Sequence, residues 1–223
     1  MKGMLYIVAT PIGNLADITL RAIETLKSVD IVLCEDTRVT RTLLEHYEIK
    51  TPAMSYHQHS TEAKVREIAA LLAEGKNLAL VTDAGTPGIS DPGNLLIQSL
   101  VRSSEPIVIA PIPGPSAVIA ALSISGFPTD KFIFLGFPPH KNKRQKFFLE
   151  VAASEHTVAF YESNHRIKKC LSELQMVLKP DQQVVICREL TKKFESVYRG
   201  TIQEIITMNI PEKGEFVVII QNV

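Results

Sequence analysis

The chain has no tryptophan, only three cysteines and no net charge, and the last two shortages each remove a class of function. Cys34, Cys170 and Cys187 are odd in number, far apart and set in apolar runs. That pattern fits neither a disulfide framework nor the close spacing of a zinc site; all three read as reduced core residues, and no metal is expected. Lys plus Arg balances Asp plus Glu at 24 each, so no overall charge draws the chain to nucleic acid. No apolar run approaches the ~20 residues that span a bilayer, and the N-terminus lacks the apolar stretch and small-residue cleavage site of a signal peptide. A cytoplasmic protein without membrane contact is the expectation. What is present, 45% hydrophobic and 22% charged residues among 223, is the composition of a globular protein with room for one large or two small domains.

Strand-like runs and helical patterns alternate from the start. Residues 5–9 are apolar and β-branched, and residues 17–29 carry Ile18, Ala22, Ile23 and Leu26 at helical spacing. Strands are expected at 30–34, 53–56, 77–82 and 107–112, with helices at 39–47, 62–73 and 95–101. This is the βα rhythm of a parallel sheet. The rhythm breaks at Pro113-Gly114-Pro115, where a helix starts at Pro115 or Ser116 because proline suits a first turn. Beyond it come strands at 132–135, 157–161, 184–188, 196–198 and 216–221 and helices at 143–153, 166–178 and 202–207. Neighbouring strands without a helix between them near residues 184–198 point to a mixed sheet. The fold class expected is α/β with two α/β domains: residues 1–112, mostly parallel, and residues 113–223, with the mixed sheet. Charge divides with them, net −3 before residue 113 and +3 after it. The basic excess lies in Lys141, Lys143, Arg144 and Lys146, then Arg166, Lys168 and Lys169, which reads either as a face for an anionic partner or as a solvated helix surface.

The segment Thr82-Asp83-Ala84-Gly85-Thr86-Pro87-Gly88-Ile89-Ser90-Asp91-Pro92-Gly93 is the most informative. It leaves a strand and enters a helix, with three glycines, two prolines and five polar side chains. In open α/β sheets, ligands collect at such carboxyl strand ends. The first loop, with Pro11 and Gly13, has too few glycines for a dinucleotide or triphosphate cradle, which weighs against a nucleotide hydrolase. Glu35-Asp36-Thr37-Arg38 brings two carboxylates and a guanidinium to the same edge; Arg38 suits a phosphate or carboxylate clamp, and Asp36 or Thr37 equally suits a helix N-cap. Ser116 opens a helix, and Tyr161 to Arg166 and Arg188 to Glu195 each close a strand.

Taken in order, T-P-I-G-N-L-x-D-I-T, E-D-T-R-x-T, D-A-G-T-P-x-I-S-D-P-G, P-G-P-S-A, Y-E-S-x-H-R and R-E-L-T-K resemble the tetrapyrrole methylase superfamily, in its RNA-methylating branch. The resemblance covers nearly the whole chain, its six segments lying between Thr10 and Lys192. The resemblance implies an S-adenosylmethionine-dependent enzyme that methylates the ribose 2′-hydroxyl of a cytidine in small-subunit ribosomal RNA. It also implies a homodimer and a cofactor in the cleft between two α/β domains. Members commonly continue into a small helical C-terminal region, whereas this chain stops after the strand ending near Gln221.

Carried over residue by residue, the resemblance assigns cofactor contact to Pro11, Asp83, Ala84, Gly85, Thr86, Ser116, Ala117, Tyr161 and Leu190. Because a sulfonium loses its charge as the methyl leaves, the groups facing it should be neutral, with Asp83 turned to a hydroxyl or amino group of the cofactor. Asp36, Glu162, Glu189 and Lys192 are the candidate bases, and Arg38, Arg144, Arg166, Lys168 and Lys192 the candidate phosphate contacts. Two alternatives stay open: a small-molecule methyltransferase acting on a tetrapyrrole, and a non-catalytic RNA-binding module.

Overall fold

A computed structural model describes residues 2–58, 60–103 and 107–222. The chain divides into two compact units, Met1–Ser116 and Ala117–Val223. Each holds a five-stranded sheet.

In the first unit the elements run β1 (Met4–Val8), α1 (Leu20–Ser28), β2 (Ile31–Cys34), α2 (Thr37–His46), β3 (Ala53–Ser55), α3 (Glu62–Ala73), β4 (Leu78–Leu80), α4 (Asn94–Val101) and β5 (Val108–Ile112). The strand order is β3-β2-β4-β1-β5 and every pairing is parallel. The period-2 alternation of a strand splits the core. Val32, Cys34, Ala79 and Val81 face Ala22, Leu26, Leu43 and Leu44 of α1 and α2. Leu33, Leu78 and Leu80 face Ile68, Leu72, Leu96 and Leu100 of α3 and α4. Burial on both faces is why these strands read as continuous apolar runs. Pro111 is tolerated because β5 is an edge strand, with no further ladder asking for its missing N–H.

The second unit runs α5 (Ala117–Ser125), β6 (Phe132–Phe134), α6 (Arg144–Ala153), β7 (Thr157–Glu162), α7 (Ile167–Val177), β8 (Gln183–Arg188), β9 (Ser196–Thr201), α8 (Ile202–Thr207) and β10 (Phe216–Ile220). Its order is β6-β7-β10-β8-β9, with β6 and β7 parallel and the other pairs antiparallel. One face carries α6, α7 and α8, packed through Phe148, Leu174 and Ile205 onto Phe160, Ile186 and Val218. The helix α5 packs on β7 and β10. The expected pair of α/β halves, one parallel and one mixed, is what the chain forms.

The units part after Ser116, four residues beyond the expected border at 112. Residues 113–116 pack with the first unit: a Cβ on Gly114 would lie 3.0 Å from the Ala9 Cβ, and the Pro115 carbonyl accepts from the Thr86 hydroxyl at 3.2 Å. Helix boundaries shift where caps decide them. Thr19 caps α1 by accepting from the Ala22 N–H, so the helix expected from residue 17 begins at Leu20, behind a short 3₁₀ turn at Leu15–Asp17. Among the described residues no helix is long and apolar enough to cross a membrane.

Candidate active site

A parallel sheet sends the carboxyl ends of all its strands to one edge, and in the first unit that edge gathers the loops after β1, β2, β3, β4 and β5. Three of them are joined by hydrogen bonds. Thr10 and Gly85 exchange two main-chain bonds, 2.9 and 3.1 Å, in an isolated antiparallel bridge. The Thr10 hydroxyl also donates to the Thr82 carbonyl at 3.0 Å, and Thr86 reaches Pro115. Gly85 holds φ +83°, a left-handed conformation that glycine adopts without penalty. Pro11 and Gly85 are buried while Asp83, Ala84 and Pro113 face outward. The result is a floor of small neutral residues with one carboxylate beside it.

The loop after β2 joins the same edge. Asp36 caps α2, its carboxylate accepting from the Arg38 N–H at 2.8 Å, and it pairs with the Arg38 guanidinium at 2.6 Å. These bonds hold its pKa down at about 2, so it is a poor proton acceptor at neutral pH. Of the two readings open for Asp36, the cap is realised. Arg38 leaves its side chain 87% exposed, available to an anion.

Burial and neighbouring carboxylates act oppositely on three other groups there. Glu35 and Asp83 are both held above the usual carboxylate range, first by burial; the Asp83 charge adds to this at Glu35, and the Asp36 charge adds to it at Asp83. Asp91, in the loop after β4, is raised to about 6 by burial and by the charges of Glu35 and Asp83.

In the second unit, Tyr161 sits near the end of β7 with its hydroxyl accepting from the Val118 N–H at 3.3 Å. Its ring meets Phe134 and Phe137 edge-on. The Tyr161 hydroxyl therefore lies at the first turn of α5, next to Ala117. Glu162 is fully buried. One carboxylate oxygen accepts from Arg144 at 3.1 Å, and the other pairs with Arg166 at 3.2 Å and accepts from the Ser163 N–H at 2.7 Å. Arg144, itself 4% exposed, also binds Glu173 at 2.8 Å and the Pro139 carbonyl; Arg166 donates to the Pro138 carbonyl. Two expectations are corrected by this network. Glu162 has both oxygens committed to guanidinium groups and is no candidate base. Arg144 is interior and cannot touch an RNA phosphate or belong to an exposed basic face.

The loop after β8 is strained: Glu189 and Thr191 hold φ +51° and +65°, and such non-glycine conformations cluster at functional sites. Glu189 accepts from the Glu215 N–H at 2.9 Å and pairs with Lys192, which pairs with Glu215 at 2.8 Å. Lys192 is held above its ordinary pKa, its two carboxylate partners outweighing burial. It is thus a cation and not a base. Glu189 is held below its own. Leu190 is buried between them.

A model of the tetrapyrrole (corrin/porphyrin) methylases matches residues 4–206. The chain belongs to the tetrapyrrole methylase family. It is 48% identical to the ribosomal RNA small subunit methyltransferase I of Synechocystis sp. over 98% of this chain and 78% of that protein. The protein of the same name from Thermotoga maritima is 42% identical over 98% of both. Among solved structures, uroporphyrin-III-C-methyltransferase from Thermus thermophilus superposes with TM-score 0.66 at 18% identity, covering 99% of this chain and 95% of that one. Cobalt precorrin-4 methyltransferase, a cobalamin biosynthetic enzyme, superposes with TM-score 0.69 at 21% identity, covering 98% and 94%. At those identities the solved structures show the shared fold.

The residues of the family's loops fit a methyl donor on one further observation. Among the described residues, Thr82 Oγ1 and Thr191 Oγ1 are buried side-chain atoms that complete no hydrogen bond of normal geometry, and both belong to these loops. A buried orphan of this kind is where a ligand atom is expected.

Proposed function

We propose that this chain is an S-adenosylmethionine-dependent methyltransferase acting on the ribose 2′-hydroxyl of a cytidine in small-subunit ribosomal RNA. The observation that carries the reading is the near full-length identity to methyltransferases of that name, joined to signature loops that meet at the strand ends. In this reading Pro11, Asp83, Ala84, Gly85, Thr86 and Ser116 of the first unit, and Ala117, Tyr161 and Leu190 of the second, contact the donor. Bound there, the donor supplies a methyl group activated by a sulfonium. The neutral Pro11, Ala84 and Gly85 keep carboxylate charge away from that centre, which favours the transition state over the reactant. Asp83 accepts from a donor hydroxyl or amino group. Holding the two reactants in line contributes most, since effective molarities reach ~10⁵ to 10⁸ M in well-oriented systems.

Arg38 and Lys168 carry the exposed positive charge that RNA phosphates require, while Lys192 is half-buried and paired with Glu189 and Glu215. Lys168 is paired at the surface with Glu212, so an incoming phosphate competes for it. Neutral overall charge fits a folded ribosomal particle as the substrate better than free RNA, whose binding depends on many phosphate contacts. The protein acts in the cytoplasm as a homodimer, a state that sedimentation equilibrium measures directly. Edge strand β5 leaves Val108 60% exposed, and α4 leaves Leu95 66% exposed, apolar surface of the kind an interface covers.

Incubation with labelled donor and small ribosomal subunits lacking the modification tests the function. Label on a ribose oxygen of a cytidine is the expected result. Label on a precorrin instead, or donor binding without transfer to any RNA, would establish one of the two alternatives.

A further inference from the structure

Phe137 is 50% exposed on a loop whose main chain is fastened from beneath. Its ring meets Tyr161 edge-on, with centroids 5.3 Å apart and planes at 60°, so this contact leaves ring area uncovered. Resting on the methyltransfer reading above, we propose that Phe137 is a stacking platform for an unpaired base of the RNA substrate, beside the ribose that is methylated.

Rigidity is the first support for that role. The Gly136 carbonyl accepts from the Tyr161 N–H at 2.8 Å, the Pro138 carbonyl from Arg166 at 2.7 Å and the Pro139 carbonyl from Arg144 at 3.2 Å. Both guanidiniums are held in turn by the buried Glu162. A buried ion network adds little net stability over apolar packing; this one fixes the main chain on both sides of Phe137 while the ring stays at the surface. A ring presented in that way loses little freedom when a base settles on it. Position is the second support. The Tyr161 hydroxyl accepts from the Val118 N–H, next to Ala117, and in the proposed function Tyr161 and Ala117 both contact the donor. The attacking hydroxyl has to reach the donor methyl, so the base of that nucleotide or of its neighbour lies close to Tyr161.

Charge around the ring is the third. β7 and β8 both run antiparallel to β10, and β6 runs parallel to β7, so the loops after β6, β7 and β8 leave the same edge of the second sheet. Glu189, Glu212 and Glu215 at that edge are each paired with Lys192 or Lys168. His140, Lys141 and Lys143, just past Phe137 in the chain, are exposed, and the Arg166 guanidinium lies 3.4 Å from the His140 ring. Proteins hold unpaired RNA with this combination, the aromatic ring taking the base and the cations the phosphates. A lone exposed hydrophobe is common on protein surfaces; the pinned loop, the contact with Tyr161 and the flanking lysines together set this one apart.

Single-turnover transfer to unmodified small ribosomal subunits, with subunit concentration varied, tests this in Phe137→Ala, Phe137→Leu and Phe137→Tyr. Loss of one stacked base should raise the half-saturating subunit concentration by about 5- to 150-fold in the Ala and Leu variants, whereas Tyr, which keeps a ring, should stay within about threefold of the wild type. Calorimetry should find all three unchanged in affinity for the demethylated donor product. A Leu variant that saturates like the wild type would show that the ring supplies only apolar bulk, and overturns the assignment. Weakened donor-product affinity in the Ala and Leu variants would make Phe137 a support for Tyr161, and a changed sedimenting mass would make it an interface between copies of the chain; either overturns it equally. Should Phe137→Ala fail to fold, the comparison of Leu with Tyr decides alone. No transfer by the wild type to any subunit defeats the functional reading itself, which separates that failure from this one.

Discussion

The main-chain amide of Asp36 donates to the Asp83 carboxylate over 3.2 Å, across 47 residues of sequence. One carboxylate thereby fixes the loop after β2 to the loop after β4, and in the proposed function it also accepts from the methyl donor. Asp83→Ala removes both functions. Affinity for S-adenosylmethionine should fall at least tenfold by calorimetry, and unchanged affinity would remove Asp83 from the site. Asp83→Asn keeps an acceptor for the Asp36 N–H, so it should retain the melting temperature of the wild type while still weakening the donor.

Glu162 tests how much of the second unit rests on its ion network. Removing one partner of a buried pair typically costs about 3–5 kcal/mol, because the remaining charge is left without compensation. Arg144 at 4% exposure has no route to water. Glu162→Ala should lose stability in that range by urea unfolding. It should also loosen residues 137–140, whose Pro138 and Pro139 carbonyls are held by Arg166 and Arg144. A loss below about 1 kcal/mol would mean that water enters the network.

Much of this architecture was legible in the sequence because burial writes itself as periodicity. Leu78-Ala79-Leu80 is apolar throughout because β4 lies between β2 and β1 with helices on both faces, and the helices α3 and α8 follow their apolar spacing closely. The signature loops were legible as loops at strand ends because glycine and proline have steric reasons to be there. Proton affinities were not. Asp36, Glu162 and Glu189 look alike in a string of letters; what each can do is decided by the guanidinium, ammonium or N–H that reaches its carboxylate in three dimensions. Nothing in spacing pairs Asp91 with Glu35, or shows that Arg144 turns inward while Lys168 stays at the surface.

Gly85 separates conformational need from steric need. A Cβ there would meet Ile12 Cγ2 at 3.5 Å and the Pro115 oxygen at 3.8 Å, ordinary contacts. The cost of Gly85→Ala is then the left-handed backbone alone, about 1–2 kcal/mol. Relief of that strain would break the bridge to Thr10. The variant should therefore lose about that much stability and, disproportionately, more than tenfold in donor affinity. Equal losses in a Gly126→Ala control, whose φ is +79° with open space around it, would be seen in stability but not in affinity.

Stability should carry the signature of the carboxylate cluster in its dependence on pH. Asp91, at about 6 against an ordinary 3.8, binds its proton more tightly in the folded chain than in the unfolded one, as burial and the charges of Glu35 and Asp83 oppose its ionisation; Glu35 and Asp83 are displaced in the same direction. A group with a raised acidic pKa stabilises the fold when protonated, and that contribution is lost as pH rises from the unfolded value through the folded one. The carboxyls displaced downward, Asp36, Glu189, Glu204 and Glu212, are ionised in both states above about pH 5, so from there to about pH 7 the raised group sets the carboxyl contribution. Asp91→Asn should melt above the wild type at pH 7.5 by about 2–4 °C, the shift that ~1 kcal/mol gives in a chain of this size, after allowance for screening at a partly exposed carboxylate. The gap should narrow on acidification and close below about pH 4, where Asp91 is protonated whether the chain is folded or not. A constant gap from pH 4 to 8 would show that Asp91 titrates like an ordinary surface aspartate.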